Sequence, residues 1–117
     1  MHMHEDFNIP SDSPSIPTIE LKAIKDLKSG YNIQIITTNW IFAPEKANIE
    51  TGSYNEGHSH LSINNTMISR LYGNWTHIPD TLIKNGDNKI EISLNTNTHK
   101  SIRYKEKTIS AIVNVTK

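Results

Sequence analysis

The sequence predicts an all-β protein, folded as an antiparallel β-sandwich. From Thr18 onward, apolar and polar residues alternate with period two in short runs rich in Ile, Thr and Val. Gly, Asn and Pro separate these runs, and no helical period of useful length lies between them. About seven short strands at this spacing are typical of a sandwich rather than of a parallel α/β sheet.

The first 17 residues differ from the rest of the chain. They are polar, and Pro10, Pro14 and Pro17 interrupt regular structure. We therefore predict two parts, a flexible polar N-terminal arm at residues 1–17 and one β-sandwich domain at residues 18–117. A chain of 117 residues fits one compact domain of this kind.

The predicted strands follow one another along residues 18–117. In each run, alternation places the apolar residues on one face, which we expect to turn toward the core. Asn64 and Asn65 tolerate positive φ, so they predict a tight hairpin between the runs on either side. The main predicted strands comprise residues 18–24, 31–37, 58–63, 67–72, 89–94 and 108–115.

The composition excludes several classes of function. Twelve basic residues balance twelve acidic ones, so we expect no nucleic-acid partner. No apolar run approaches the roughly 20 residues of a membrane helix, so we expect no membrane insertion. The absence of cysteine rules out disulfides, a thiolate nucleophile and iron–sulfur ligation. The first ten residues have no secretory leader pattern, so the chain is either cytosolic or has lost its leader before residue 1.

Six histidines carry the most specific chemical signal. His58 and His60 lie two apart in one predicted strand, so their imidazoles share a face. His77 and His99 lie where predicted strands meet loops, positions from which a rigid scaffold can direct a ligand. These patterns alone also fit a solvated pair at 58 and 60, a buried structural His77 and a turn-capping His99.

Metal binding explains the histidines better than other chemistry does. Imidazole suits copper, zinc, iron and nickel, and the thioethers of Met1 and Met3, beside His2 and His4, favour copper. The same Met-His-Met-His run is equally compatible with a leftover of an expression tag. The sequence contains no HExxH motif and no GxSxG elbow, and we predict no catalytic residue.

Three segments give a family resemblance. GHSHL at 57–61, RLYGNWTH at 70–77 and LNTNTH at 94–99 resemble, in the same order, motifs of small bacterial exported copper-binding proteins with a cupredoxin-like domain. The similarity extends from about Ser29 to the last strand and leaves only the arm unmatched. It implies a cupredoxin-like Greek key, a periplasmic or otherwise exported location, and metal-binding roles for His58, His60, His77 and His99.

The sequence is compatible with three functions. The leading prediction is copper storage, delivery or tolerance, with His60, His77 and His99 as ligands, His58 as a fourth ligand or a partner of one, and a copper donor or acceptor protein as partner. The second is a metal-free module that recognises a carbohydrate or a protein through exposed aromatic residues. The third is a copper-dependent redox enzyme, which we favour less than binding without catalysis.

Overall fold

Two β-sheets pack face to face in the computed structural model, which describes residues 5–117. The prediction of an all-β sandwich is confirmed. The strands are β1 (Asp6–Asn8), β2 (Thr18–Lys25), β3 (Tyr31–Thr38), β4 (Ile41–Phe42), β5 (Glu56–Ile63), β6 (Thr66–Leu71), β7 (Trp75–Ile78), β8 (Asp87–Asn95), β9 (Ser101–Tyr104), β10 (Lys107–Thr108) and β11 (Ser110–Thr116). Two single-turn 3-10 helices lie at Pro44–Lys46 and Asp80–Leu82.

The two sheets differ in size. The larger sheet has the strand order β1-β9-β8-β5-β4, with β6 paired to β5, β11 paired to β8 and β10 paired to β9. The smaller sheet has the order β2-β3-β7. Most pairs are antiparallel, as predicted, but β1 with β9 and β4 with β5 are parallel. The Greek-key connection that the family resemblance implies stays a prediction.

The main core lies between the inward faces of the two sheets. Alternation along each strand directs every second apolar residue into this space, as the sequence pattern predicts. Since Leu61 and Ile63 of β5 point inward, His58 and His60 of the same strand point to the outer face of the larger sheet. The buried residues of this cluster are Ile33, Ile35, Leu61, Ile63, Ile78, Ile83, Ile90, Ile92 and Val115.

The hairpin between β5 and β6 forms as predicted. Asn64 and Asn65 have φ values of 51° and 69°, which asparagine tolerates better than most residues. The side-chain oxygen of Asn64 also accepts a hydrogen bond from the backbone N–H of Lys89, at 2.8 Å. The turn is thereby attached to β8, the strand that pairs with β5 on its other side.

Part of the predicted arm is packed on the domain. The structure places β1 in parallel register with β9, and Ile9, 5% exposed, belongs to a second apolar cluster with Trp40, Leu94 and Ile102. Burial of Ile9 favours this contact, because an apolar side chain gains free energy when it leaves water. The division into a flexible arm at residues 1–17 and a domain at residues 18–117 stays a prediction.

Among residues 5–117, no helix is long and apolar enough to cross a bilayer.

Candidate metal centre

Three imidazoles meet on the outer face of the larger sheet. His58 and His60 lie on β5, and His99 lies in the loop that follows β8. Nε2 of His58 lies 3.1 Å from Nε2 of His60 and 2.9 Å from Nδ1 of His99. All three donor nitrogens lie within 4.8 Å of one another. The structure therefore assembles a histidine cluster from residues 41 positions apart in sequence.

Strand pairing fixes the position of the first two histidines. His58 lies opposite Asn95 and His60 lies opposite Ser93 in the antiparallel pairing of β5 with β8. Gly57 precedes them with a φ of 153°, and a Cβ at this position would lie 2.0 Å from the backbone oxygen of Asn95. Only glycine allows the two backbones to approach so closely at the end of the strand pair.

A tight turn brings His99 back over β5. The backbone N–H of His99 donates to the carbonyl of Thr96 at 2.9 Å, and the N–H of Lys100 donates to Oγ1 of Thr96 at 3.1 Å. His99 itself has a φ of 71°, a conformation that histidine adopts more often than most residues. This turn, which begins immediately after β8, directs the imidazole toward His58.

Asn48 sets which nitrogen of His99 faces the cluster. Nε2 of His99 donates to Oδ1 of Asn48, with 2.6 Å between the two atoms. In the neutral imidazole, a proton on Nε2 leaves a lone pair on Nδ1, the atom that faces His58. Asn48 has a φ of 68°, and its N–H donates to the carbonyl of Asn97 at 2.7 Å. The loop between β4 and β5 therefore orients the third imidazole.

A second contact joins the same two loops. The buried amide of Asn97 donates to Oε2 of Glu56 at 2.8 Å, and Nζ of Lys46 lies 3.1 Å from the other carboxylate oxygen. The hydrogen bond from Asn97 is the main cause that lowers the pKa of Glu56 below its ordinary value. Asn97 and Glu56 thus link the loop that carries His99 to the start of β5.

His58 is held neutral. Its side chain is almost completely buried, and the residue is 1% exposed. Burial is the largest cause that lowers the pKa of His58 from 6.5 to about 3, followed by the charges of His60, His99 and Arg70. The ring of Tyr72 stacks on it with 5.4 Å between centroids. A neutral imidazole is the form that binds a metal ion.

The donor set fits a metal ion. Neighbouring nitrogens of a tetrahedral site with metal–nitrogen bonds of about 2.0 Å lie about 3.3 Å apart. Two of the three observed separations, 2.9 and 3.1 Å, approach this value, and all three donor nitrogens lie within 4.8 Å of one another. Nδ1 of His58 is buried and has no hydrogen-bond partner among residues 5–117. The convergence of three nitrogen donors shows a site that could hold a metal ion.

His77 lies elsewhere. It is exposed on β7 in the smaller sheet, and its Nδ1 donates to Oδ1 of Asn32 at 2.7 Å. Its neighbour Ile78 points into the core, so His77 points to the outer face of the opposite sheet from the cluster. The sequence grouped His77 with the ligands because it lies beside a strand end, and sequence order does not show which sheet a strand joins.

The Met-His-Met-His run falls on Met1, His2, Met3 and His4, which lie outside the described residues. Asn48 was missed by sequence reasoning. It is one of several asparagines in polar loops, and nothing in its spacing relates it to His99, 51 positions away.

No protein family, curated protein sequence or solved structure matches this chain. A β-rich fold with a buried histidine cluster is compatible with the resemblance drawn from the sequence motifs, and membership of that family stays a prediction.

Proposed function

We propose that this protein binds one copper ion through Nε2 of His58, Nε2 of His60 and Nδ1 of His99. The observation that carries the proposal is the approach of Nε2 of His60 and Nδ1 of His99 to within 3.1 and 2.9 Å of Nε2 of His58. Burial keeps His58 neutral, so it can bind an ion through Nε2 as the tautomer protonated on Nδ1, without net loss of a proton.

The choice of copper rests on the chemistry of the donors. The cluster offers imidazole nitrogen and neither carboxylate nor thiolate, which disfavours calcium, magnesium and iron–sulfur clusters. Among divalent first-row ions, copper binds nitrogen donors most tightly in the ordinary order of affinity. Zinc also suits three imidazoles, and the test below separates it from copper.

The ion is cargo in this proposal rather than a catalyst. His60 is partly exposed while His58 is buried, so the ion enters and leaves from the His60 side. Together with the motif resemblance, this supports storage or delivery, with exchange of copper with a partner protein in an exported compartment. Arg70 lies opposite His60 on β6, and its positive charge opposes any cation at the cluster, so affinity rests on the bonds from the imidazoles.

The experiment is a competition titration of the purified chain with Cu(I), Cu(II) and Zn(II) against chelators of known affinity. We expect one copper ion per chain and tighter binding of copper than of zinc. The variant that replaces all three cluster histidines by alanine should lose this site, and His77→Ala, the matched control, should keep it. Copper bound equally well by the triple variant, or zinc bound more tightly than copper, contradicts the proposal.

A further inference from the structure

A shallow cleft lies on the outer face of the smaller sheet, on the opposite side of the sandwich from the histidine cluster. Asn32, Trp75, Thr76 and His77 line it, and its volume is about 400 Å³. Trp75 and His77 lie two apart on β7, so they stand on the same face with the backbone of Thr76 between them. The cleft lies between two rings that point to solvent.

Trp75 is unusual in its exposure. It is 53% exposed, whereas Trp40, the second tryptophan, is 6% exposed and lies in the apolar cluster with Ile9, Leu94 and Ile102. An indole combines a flat apolar face with a polar N–H, and such rings are enriched where proteins bind ligands. A single exposed aromatic residue is common on protein surfaces, so the exposure of Trp75 indicates a binding site only together with the polar groups beside it.

A hydrogen-bond relay fixes those polar groups. The amide nitrogen of Asn32 donates to Asp26 at 3.0 Å, and Oδ1 of Asn32 accepts from Nδ1 of His77 at 2.7 Å. Asp26 is in turn fixed by the backbone N–H groups of Lys28 and Ser29, at 2.8 and 3.2 Å. The proton on Nδ1 leaves Nε2 of neutral His77 as a hydrogen-bond acceptor. The imidazole of His77 therefore has a fixed orientation although it lies on the surface.

The outer face of β3 adds further amide groups beside Trp75 and His77. Gln34 lies opposite Trp75 and Asn32 lies opposite His77 in the pairing of β3 with β7. Both amides stand on the outward face, because Ile33 and Ile35 between and after them are buried in the core. The cleft therefore offers one apolar ring flanked by planar groups that donate and accept hydrogen bonds, and its lining includes no Asp, Glu, Lys or Arg.

We propose that this cleft binds a neutral saccharide. One face of a pyranose ring presents C–H groups, which pack on an indole, and its rim presents hydroxyls, which both donate and accept. Fixed amide and imidazole groups complement such hydroxyls at little entropic cost, because their orientation is already set. A phosphate-bearing ligand is best bound by Arg or Lys, and neither lines the cleft. The proposal is independent of the metal centre.

The test uses the full chain and two-dimensional NMR, with neutral hexasaccharides of glucose, xylose, mannose and N-acetylglucosamine as probes. For so small a contact we expect a Kd on the order of 1 mM, so each probe is added to about 10 mM. At least one should shift the indole N–H signal of Trp75 and leave that of Trp40 unchanged. Trp75→Ala should abolish binding, and Asn32→Ala should weaken it about tenfold.

Two controls make the outcome decisive. Ile112→Ala removes a side chain of equal exposure, 53%, from the larger sheet and should bind the sugar normally. The backbone amide dispersion of Trp75→Ala should match that of the wild-type chain, which shows that the variant is folded. The proposal is overturned if no probe shifts the Trp75 signal, or if a probe shifts the backbone amide signals of β3 and β7 equally in the wild type and in Trp75→Ala. Concentration-dependent dimerisation that Trp75→Ala abolishes, without any sugar response, also overturns it and assigns the cleft to contact between copies.

Discussion

Oδ1 of Asn48 lies 2.6 Å from Nε2 of His99, and this contact determines how the third imidazole enters the cluster. His58 and His60 face the cluster with Nε2, whereas His99 faces it with Nδ1. A residue outside the cluster thus selects which nitrogen of His99 faces the other two imidazoles. Partners of this kind commonly alter metal affinity by about 10–100-fold when they are removed.

Asn48→Ala should therefore weaken copper binding by about tenfold while leaving one ion per chain. The reason is that His99 loses the acceptor that holds its proton on Nε2, so the ring turns and changes tautomer more freely. Affinity from chelator competition measures the change. Asn65→Ala, in the exposed β5–β6 turn, is the matched control and should bind copper normally. Equal affinity of wild type and Asn48→Ala would show that the contact does not orient His99 in the loaded protein.

Alanine at His58, His60 or His99 should each lower copper affinity by about tenfold or more, which corresponds to ~1.4 kcal/mol. His77→Ala should have no such effect, because His77 lies on the other sheet and is bonded to Asn32. Isothermal titration of the four variants compares them directly. Loss of binding in His77→Ala with normal binding in His58→Ala would restore the ligand set that the sequence favoured and reject the cluster.

The metal-free protein should become less stable as the pH falls below about 6.5, the ordinary pKa of histidine. The folded pKa of His58 is lowered to about 3, so the unfolded chain takes up a proton over this range while the folded chain does not. The stability that depends on neutral His58 is complete above the unfolded pKa and is lost as the pH falls toward the folded pKa. Urea midpoints at about pH 7.5 and 4.5 measure the effect. His58→Gln should reduce the difference between them, and an unchanged difference would contradict the burial of a neutral ring.

Gly57→Ala should destabilise the fold by about 1–3 kcal/mol or more. The added Cβ would meet the Asn95 oxygen at 2.0 Å and the side chain of Trp40 at 2.9 Å, so β5 and β8 must separate at the end that carries the cluster. Copper affinity should fall in parallel. Gly73→Ala, where a Cβ meets nothing within 4 Å, is the control in denaturant unfolding. Similar unfolding midpoints for the two variants would show that the strands tolerate separation here.

The β-sandwich and one half of the site follow from local sequence. Alternation along 58–63 predicts both the inward Leu61 and Ile63 and the outward His58 and His60, because one residue of shift exchanges the two faces. The pair Asn64-Asn65 predicts the hairpin through its tolerance of positive φ. These features depend only on neighbours in the chain.

The other half of the site depends on which strands become neighbours. His99 joins the cluster because β8 pairs with β5, and His77 leaves it because β7 pairs with β3 in the other sheet. Both histidines look alike in sequence, since each lies near a strand end. The packing of residues 6–9 on β9 was missed for a similar reason, because Phe7 and Ile9 form only a short alternation in a polar, proline-rich segment and their partner strand lies over 90 residues later. Pairing over such distances is set by the whole core rather than by a local pattern.

The proposed function requires one copper ion to lie among His58, His60 and His99. The most direct measurement is a crystal structure of the copper-loaded chain with anomalous diffraction recorded on both sides of the copper absorption edge. We predict a single copper peak at about 2.0 Å from Nε2 of His58, Nε2 of His60 and Nδ1 of His99. A copper peak at His77, or no peak at the three histidines in a fully loaded sample, contradicts the proposed copper site.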